Sequence, residues 1–167
     1  HKIEVLRGNI NKRLEKTNAE NWDGALFAAA ALDRLNKRPE NSIELNWMLP
    51  APAQGAIIVV CRNNDNFSKE SCASMNDAIS ATCAKIERDF LKALMGGCSA
   101  PISALAVEQN GQIHFKGNVF SPDGKNYIEV EKIIDIKNEA MIGEEAAASI
   151  IEKGGLILLK SIKNAGA

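Results

Sequence analysis

The sequence predicts two architectures in succession: part of an α/β unit with a parallel sheet, then a small α+β domain of three antiparallel strands covered by helices. Three observations carry this. Residues 3–35 alternate strand-like and helix-like runs, the pattern of a parallel sheet with crossovers. Residues 102–136 hold three β-rich runs separated by tight-turn signals. Helical stripes flank those runs, over 79–94 and 142–151, and would cover one face of the sheet.

The first run, 3–6, reads as a strand ended by Arg7-Gly8. Asn9 is placed to cap a helix through Arg13, Leu14 and Lys16 that closes over 18–21, because its side-chain oxygen can accept from an orphan N–H of the first turn. Ala25-Leu26-Phe27-Ala28 reads as a buried strand and 29–35 as a short helix. A parallel sheet needs more strands than this stretch supplies. Because the chain opens on a strand-like run without methionine, the reading expects the missing strands before His1.

Residues 36–56 are polar and then Pro-rich, with Pro39, Pro50 and Pro52. Leu49 to Gly55 reads as an inter-domain crossing, followed by a β-branched strand over 56–62. Residues 67–95 read as two helices broken near Asn76-Asp77. In the second, Ile79, Cys83, Ile86, Phe90 and Leu94 form the apolar stripe, with Lys85, Arg88, Asp89 and Lys92 off it. Gly96-Gly97 would end it. Strands follow around 102–108, 113–120 and 127–136, joined by the hairpin signal Asn110-Gly111 and the turn signal Pro122-Asp123-Gly124. A last helix over 139–153 would turn Ile142, Ala146, Ala147, Ile150 and Ile151 inward and close at Gly154-Gly155. The expected division is 1–48 for the end of the α/β domain, 49–76 for the hinge and a strand and helix that return to an absent first domain, which leaves the strand over 56–62 without its sheet, and 77–167 for the α+β domain.

Composition narrows the function classes. The chain of 167 residues is 46% hydrophobic and 25% charged, as in a globular protein with a real core. A net charge of -1 offers no bulk attraction to nucleic acid or membrane, and no apolar run approaches the length of a membrane-spanning helix. Cys61, Cys72, Cys83 and Cys98 form no C-x-x-C pair, and His1 and His114 are the only histidines, so no metal site is expected. A cytoplasmic location is the expectation.

Cys98 is the most reactive-looking position. It follows a helix C-terminus and sits among Gly96, Gly97 and Pro101, a loop setting that leaves a thiol open to a partner. The negative end of a helix dipole does not lower its pKa, which favours covalent attachment over an activated thiolate. A buried turn cysteine is the bland alternative.

The run Glu87-Arg88-x-Phe90-x-x-x-Leu94-x-Gly96-Gly97-Cys98-x-x-Pro101-Ile102-Ser103 resembles the cofactor-attachment motif of the porphobilinogen deaminase (hydroxymethylbilane synthase) family, with Ala100 where the family prefers a larger β-branched residue. Leu6-Arg7-Gly8-Asn9-Ile10-x-x-Arg13-Leu14, Asp23-Gly24-Ala25-Leu26-x-Ala28 and Gln54-Gly55-Ala56 with Cys61-Arg62 resemble further family segments in the same order. Ala53 stands where the family usually has glycine, and Val60, Lys12 and Ala31 replace other common residues. The resemblance spans this whole chain but about the second half of the family's length.

The resemblance implies a periplasmic-binding-protein-like α/β domain for the first part. It also implies a transferase that condenses four porphobilinogen molecules into hydroxymethylbilane with release of ammonia. The chain grows on a dipyrromethane held by a thioether to Cys98. Arg7 and Arg13 match arginines that hold pyrrole acetate and propionate groups, a pairing suited to guanidinium forks. Asn9 and Ala28 match cleft-lining positions, and Gln54 and Gly55 match the hinge. The family's catalytic aspartate belongs to its N-terminal half, and no position here matches it. This chain alone is therefore expected to be inactive, with the N-terminal half or a second copy as partner. The alternatives are a noncatalytic ligand-binding or regulatory α+β module and, more remotely, a thiol-transfer protein using Cys98.

Overall fold

The structure, a computed structural model, describes residues 2–94 and 100–159. The chain divides into two compact units, residues 1–46 and 47–167.

In the first unit, α1 (Ile10–Ala19) starts where the Asn9 side chain accepts the Lys12 N–H at 3.0 Å. It ends where the Glu20 N–H reaches the Lys16 carbonyl. The shorter α2 (Ala29–Arg34) starts at Ala28, which has no side-chain oxygen to cap it. Leu32 is the one fully buried side chain among the described residues of this unit. The strands expected over 3–6 and 25–28 are not formed: neither stretch is paired into a sheet. A parallel strand takes its hydrogen bonds and apolar cover from neighbours, and none stands beside these segments among the described residues. Ile3, Val5 and Leu26 are accordingly exposed.

The second unit contains the core. Asp65 caps α3 (Asn66–Cys72) through the Ser68 N–H at 2.9 Å, and a short 3-10 turn, Ala73–Met75, follows. Asp77 then caps α4 (Ala78–Ala93) through the Ser80 N–H at 2.7 Å. The break expected at Asn76-Asp77 is thus a capping event. The sheet runs β1 (Ile102–Gln109), β2 (Gln112–Phe120), β3 (Tyr127–Asp135), in that order and antiparallel throughout. Its first hairpin closes at Asn110-Gly111, with φ of 54° and 80°, the double left-handed turn whose twist suits a two-residue hairpin. After a 3-10 stretch, Ile136–Met141, comes α5 (Ile142–Glu152).

Helices α4 and α5 cover one face of the sheet. Ile86 and Phe90 from α4, and Leu94 at its C-cap, meet Ile113, Phe115 and Val119 from β2, with Ile142, Ala146, Ala147 and Ile150 from α5. Phe90 and Phe115 meet edge to face with ring centroids 5.2 Å apart. Two glycines permit this packing. A Cβ on Gly117 would stand 2.7 Å from the Phe90 ring, and one on Gly143 only 2.4 Å from the Ile86 carbonyl.

One sequence reading is corrected in this unit. Ile79 was assigned to the apolar stripe but is 45% exposed. The first turn of α4 borders an open groove shared with residues 55–62 instead of the sheet. The run over 56–62, expected as a strand that has lost its sheet, has no sheet partner among the described residues. Ile57, Ile58, Val59 and Val60 stand exposed in succession, on both faces of the segment. Gly96 and Gly97, expected to end α4, lie outside the described residues.

No helix among the described residues is long and apolar enough to cross a membrane. No group of three or more His, Cys, Asp or Glu side chains there suits a metal ion.

Candidate functional site

In the first unit the candidate residues gather around the start of α1. Arg13 is half-buried, one turn into the helix. One of its terminal nitrogens donates to the Leu26 carbonyl at 2.8 Å, and the guanidinium carbon lies 4.7 Å from the centre of the Phe27 ring. Its Nε is buried without a hydrogen-bond partner. A guanidinium stacked on a ring and tethered to a carbonyl is oriented before any ligand arrives, which lowers the entropy lost when a carboxylate pairs with it. Such tethering is not expected of an arginine that merely solvates the surface. Arg7, just before the helix, is exposed and has no hydrogen-bond or ion-pair partner among the described residues. The two arginines thus differ in kind, one tethered to a ring and a carbonyl and the other exposed to solvent.

Asn9 spends its side-chain oxygen on the Lys12 N–H, so its first role is to start the helix that carries Arg13. Ala28 is exposed at the head of α2. Its neighbours Leu26 and Phe27 hold Arg13, so the stretch expected as a strand acts as a cradle for a guanidinium. Sequence reasoning did not assign Phe27 that role.

In the second unit, Gln54 and Gly55 belong to a tight turn. The Gln54 side-chain oxygen accepts the Ala51 N–H at 3.0 Å, and the Gln54 N–H returns to the Ala51 carbonyl at 2.9 Å. Gly55 has φ of 84° and Ala53 φ of 58°. The Ala53 value explains why glycine suits that position, since only glycine enters the left-handed region without a steric cost.

This turn lies along the free edge of β1. The Ala104 N–H, which points away from β2, donates to the Pro50 carbonyl at 3.0 Å. The next outward N–H, from Ala106, donates to Glu87 Oε1 at 2.8 Å, while Glu87 Oε2 accepts the Ala53 N–H at 2.6 Å. Glu87 is only 6% exposed, and burial pushes its carboxyl above the ordinary carboxylate range against the opposing pull of the two N–H donors. Glu87 stands within the motif that ends at Ser103, and nothing in that motif marks its role. A signal was present: residue 87 follows Cys83 by four and precedes Phe90 by three, so a helix turns it toward the core, where an unpaired carboxylate is costly.

Cys98, the expected attachment point, lies outside the described residues. Of the described cysteines, Cys61 is exposed, Cys72 is half-buried and Cys83 is buried. Burial, followed by the charge of Glu87, holds the Cys83 thiol above its usual pKa, so Cys83 is core filling and not a nucleophile.

Two family models match the chain. The one described as porphobilinogen deaminase, dipyromethane cofactor binding domain, matches residues 1–70, and the one described as porphobilinogen deaminase, C-terminal domain, matches residues 81–152. Arg7, Asn9, Arg13, Ala28, Gln54 and Gly55 fall in the first match, Glu87 and Cys98 in the second. Among curated relatives, the chain is 34% identical to the porphobilinogen deaminase of Listeria monocytogenes over 167 residues, covering 97% of this chain and 53% of that protein. It is 35% identical to that of Thermus thermophilus, covering 96% and 54%, and 37% identical to that of Limosilactobacillus reuteri, covering 91% and 50%. The chain spans about half the length of these relatives. Both family models and relatives of three genera agree over almost all of its residues, and the chain therefore belongs to the porphobilinogen deaminase family.

Proposed function

We propose that this chain is the C-terminal portion of a hydroxymethylbilane synthase. The complete enzyme would condense four porphobilinogen molecules into hydroxymethylbilane, releasing ammonia, on a dipyrromethane carried at Cys98. The observation that supports this most directly is Arg13, held by Phe27 and the Leu26 carbonyl inside the segment matched as the dipyrromethane-binding domain.

The residues present suit that group. Each pyrrole carries an acetate and a propionate, and two guanidiniums, one tethered and one exposed, match such paired anions. Arg13 would set the position of one carboxylate through its preset fork, and Arg7 would close on another. Cys98 would hold the dipyrromethane as a thioether. When bound, that group supplies the pyrrole terminus on which further units are added. Asn9 contributes by fixing the helix start, and Gln54 and Gly55 by shaping the crossing turn.

Proton handling at the departing amine needs an acid–base group. Glu87 does not fill that role, because both its oxygens are occupied by backbone N–H groups. The catalytic aspartate would come from outside these 167 residues, and the chain by itself would give no turnover. Residues 1–48 would belong to a periplasmic-binding-protein-like domain. The bare apolar run at 57–60 would pair with the N-terminal half of the enzyme or with a second copy of the chain. The location would be cytoplasmic.

Intact mass of the complete protein, followed by peptide mapping, tests the reading. The expected result is a mass excess of one dipyrromethane at Cys98, with Cys98→Ser removing both the excess and hydroxymethylbilane formation. Turnover retained by Cys98→Ser would refute the assignment, and turnover by the 167-residue chain alone would refute its predicted inactivity.

A further inference from the structure

We propose that Glu87 is a positioning residue whose carboxylate locks the Pro50–Gly55 turn onto the free edge of β1, fixing Gln54 and Gly55 relative to the helix that leads to Cys98. The inference deepens the functional reading above and rests on it for the role of Gln54, Gly55 and Cys98.

The geometry is specific. The two oxygens of one buried carboxylate accept from two backbone N–H groups of distant segments, Ala53 at 2.6 Å and Ala106 at 2.8 Å. With the Ala104 N–H to Pro50 carbonyl bond at 3.0 Å, the turn and the carboxylate occupy two consecutive outward donors of β1. The edge of the sheet is thereby sealed by the segment expected to be a hinge. An unpaired edge is a template for unwanted pairing, yet a polar turn held only by water would also exclude partners. The carboxylate does more than exclude them, because it grips Ala53, the residue held at φ of 58°, by its own N–H. The grip therefore adds to the hydrogen bonds that the turn makes within itself, from the Gln54 N–H to the Ala51 carbonyl and from the Ala51 N–H to the Gln54 side chain.

Two chemical facts set Glu87 apart from a generic buried acceptor. A glutamine would turn an NH2 group toward one of the two N–H donors and lose that bond. An aspartate is one methylene shorter on a fixed helix and would not span both donors. Glu87 sits on α4, the described helix that precedes Cys98 in the sequence, so the carboxylate ties the crossing turn to that helix. Residues 50–55 and 102–107 contain no titratable side chain, which leaves the carboxylate as the charged group of the lock.

Backbone amide hydrogen exchange in the complete protein, read residue by residue, tests the lock, and porphobilinogen turnover is measured alongside. In Glu87→Ala, exchange at both Ala53 and Ala106 is expected to accelerate at least tenfold, and in Glu87→Gln at whichever of the two faces the amide NH2, while the β2–β3 amides keep their protection. Glu87→Asp should give an intermediate value, and it keeps the test readable should Glu87→Ala not fold. The kcat should fall about tenfold with the Cys98 modification still present by mass and KM little changed. Unchanged exchange at both Ala53 and Ala106 in Glu87→Gln, or equal acceleration across the whole sheet, would overturn the lock. Hydroxymethylbilane formation by the unsubstituted complete protein separately decides the functional reading, since the exchange pattern does not depend on it.

Discussion

Replacing Gly143 by alanine isolates the contact between α4 and α5. A methyl at Gly143 would stand 2.4 Å from the Ile86 carbonyl oxygen, 2.8 Å from the Phe90 nitrogen and 3.0 Å from the Asp89 Cβ. The first two are backbone atoms of a helix and cannot rotate aside, so the helices must part, by roughly 1 Å if ordinary van der Waals separation is to be restored. Parting them loosens Ile142, Ala146, Ala147 and Ile150, all of which are buried in the same core. Overpacking of this kind costs about 1–3 kcal/mol, and the lost contacts push the figure toward the upper end. Alanine returns about 1 kcal/mol of helix propensity over glycine. The clash wins, leaving a net loss of about 2 kcal/mol, or a Tm lower by about 8 °C at roughly 4 °C per kcal/mol. Gly24→Ala serves as the control, since nothing lies within 4 Å of its added methyl, and its stability should change by less than about 0.5 kcal/mol. Urea and thermal unfolding followed by circular dichroism measure both. A Gly143→Ala protein as stable as the parent would refute the close approach of the two helices.

Ala53→Gly should act in the opposite direction. At φ of 58° an alanine bears a left-handed cost of about 1–2 kcal/mol, and glycine gives back about 0.5–1 kcal/mol through the freedom of the unfolded chain. A stabilisation of about 0.5–1 kcal/mol in the same melts is expected, and a destabilisation would contradict the turn geometry. Glu87 makes stability pH-dependent with an unusual sign for a carboxylate. Its native pKa is raised, by burial first of all, so the folded state holds the proton more tightly than the unfolded one. Its contribution therefore declines as pH rises from the ordinary carboxylate value through the raised one. The stability of the parent minus that of Glu87→Gln should increase as pH is lowered through that window. Cys83, on the same helix, titrates above its usual range, partly through the charge of Glu108 at the end of β1, whose own Oε1 accepts the Gly111 N–H at 2.7 Å. A difference that stays flat across the window would rule out the raised pKa of Glu87.

Much of the second unit was legible because its signals are local. Asp65 and Asp77 cap helices three residues before a free N–H, Asn110-Gly111 fits only a tight left-handed hairpin, and the period of Cys83, Ile86, Phe90 and Leu94 states which side of α4 meets the sheet. The failures share a cause. Residues 3–6 and 25–28 have the composition of strands, but a strand is completed by a neighbour, and composition does not say whether one is adjacent. Ile79 failed for a related reason, since helical period assigns a face and not the length of surface the partner covers. The arginines were legible as carboxylate partners only through resemblance. That Arg13 is oriented by Phe27 and the Leu26 carbonyl while Arg7 is not depends on side chains thirteen and more residues away. Cys98, assigned from its motif, lies outside the described residues.

Glu87 shows how a structural exception can be read back into a sequence. An acidic residue on the buried stripe of a helix is a net cost unless donors meet it, and the donors nearest at hand in a folded chain are backbone N–H groups without a partner. A three-stranded sheet necessarily offers such groups along its outer strands. An acid on the covering helix, an alternating strand edge beside it and a proline-rich crossing that cannot itself form a regular strand therefore belong together. The acid bridges what the proline-rich crossing leaves unpaired. The arrangement also explains why this crossing keeps one shape despite Ala53 at a position that favours glycine. The strain at that residue is tolerated because its N–H is held at 2.6 Å, so relieving the strain and breaking the hold should have separable effects. Ala53→Gly should leave the Glu87 bonds in place, whereas Glu87→Ala should free the turn without relieving it.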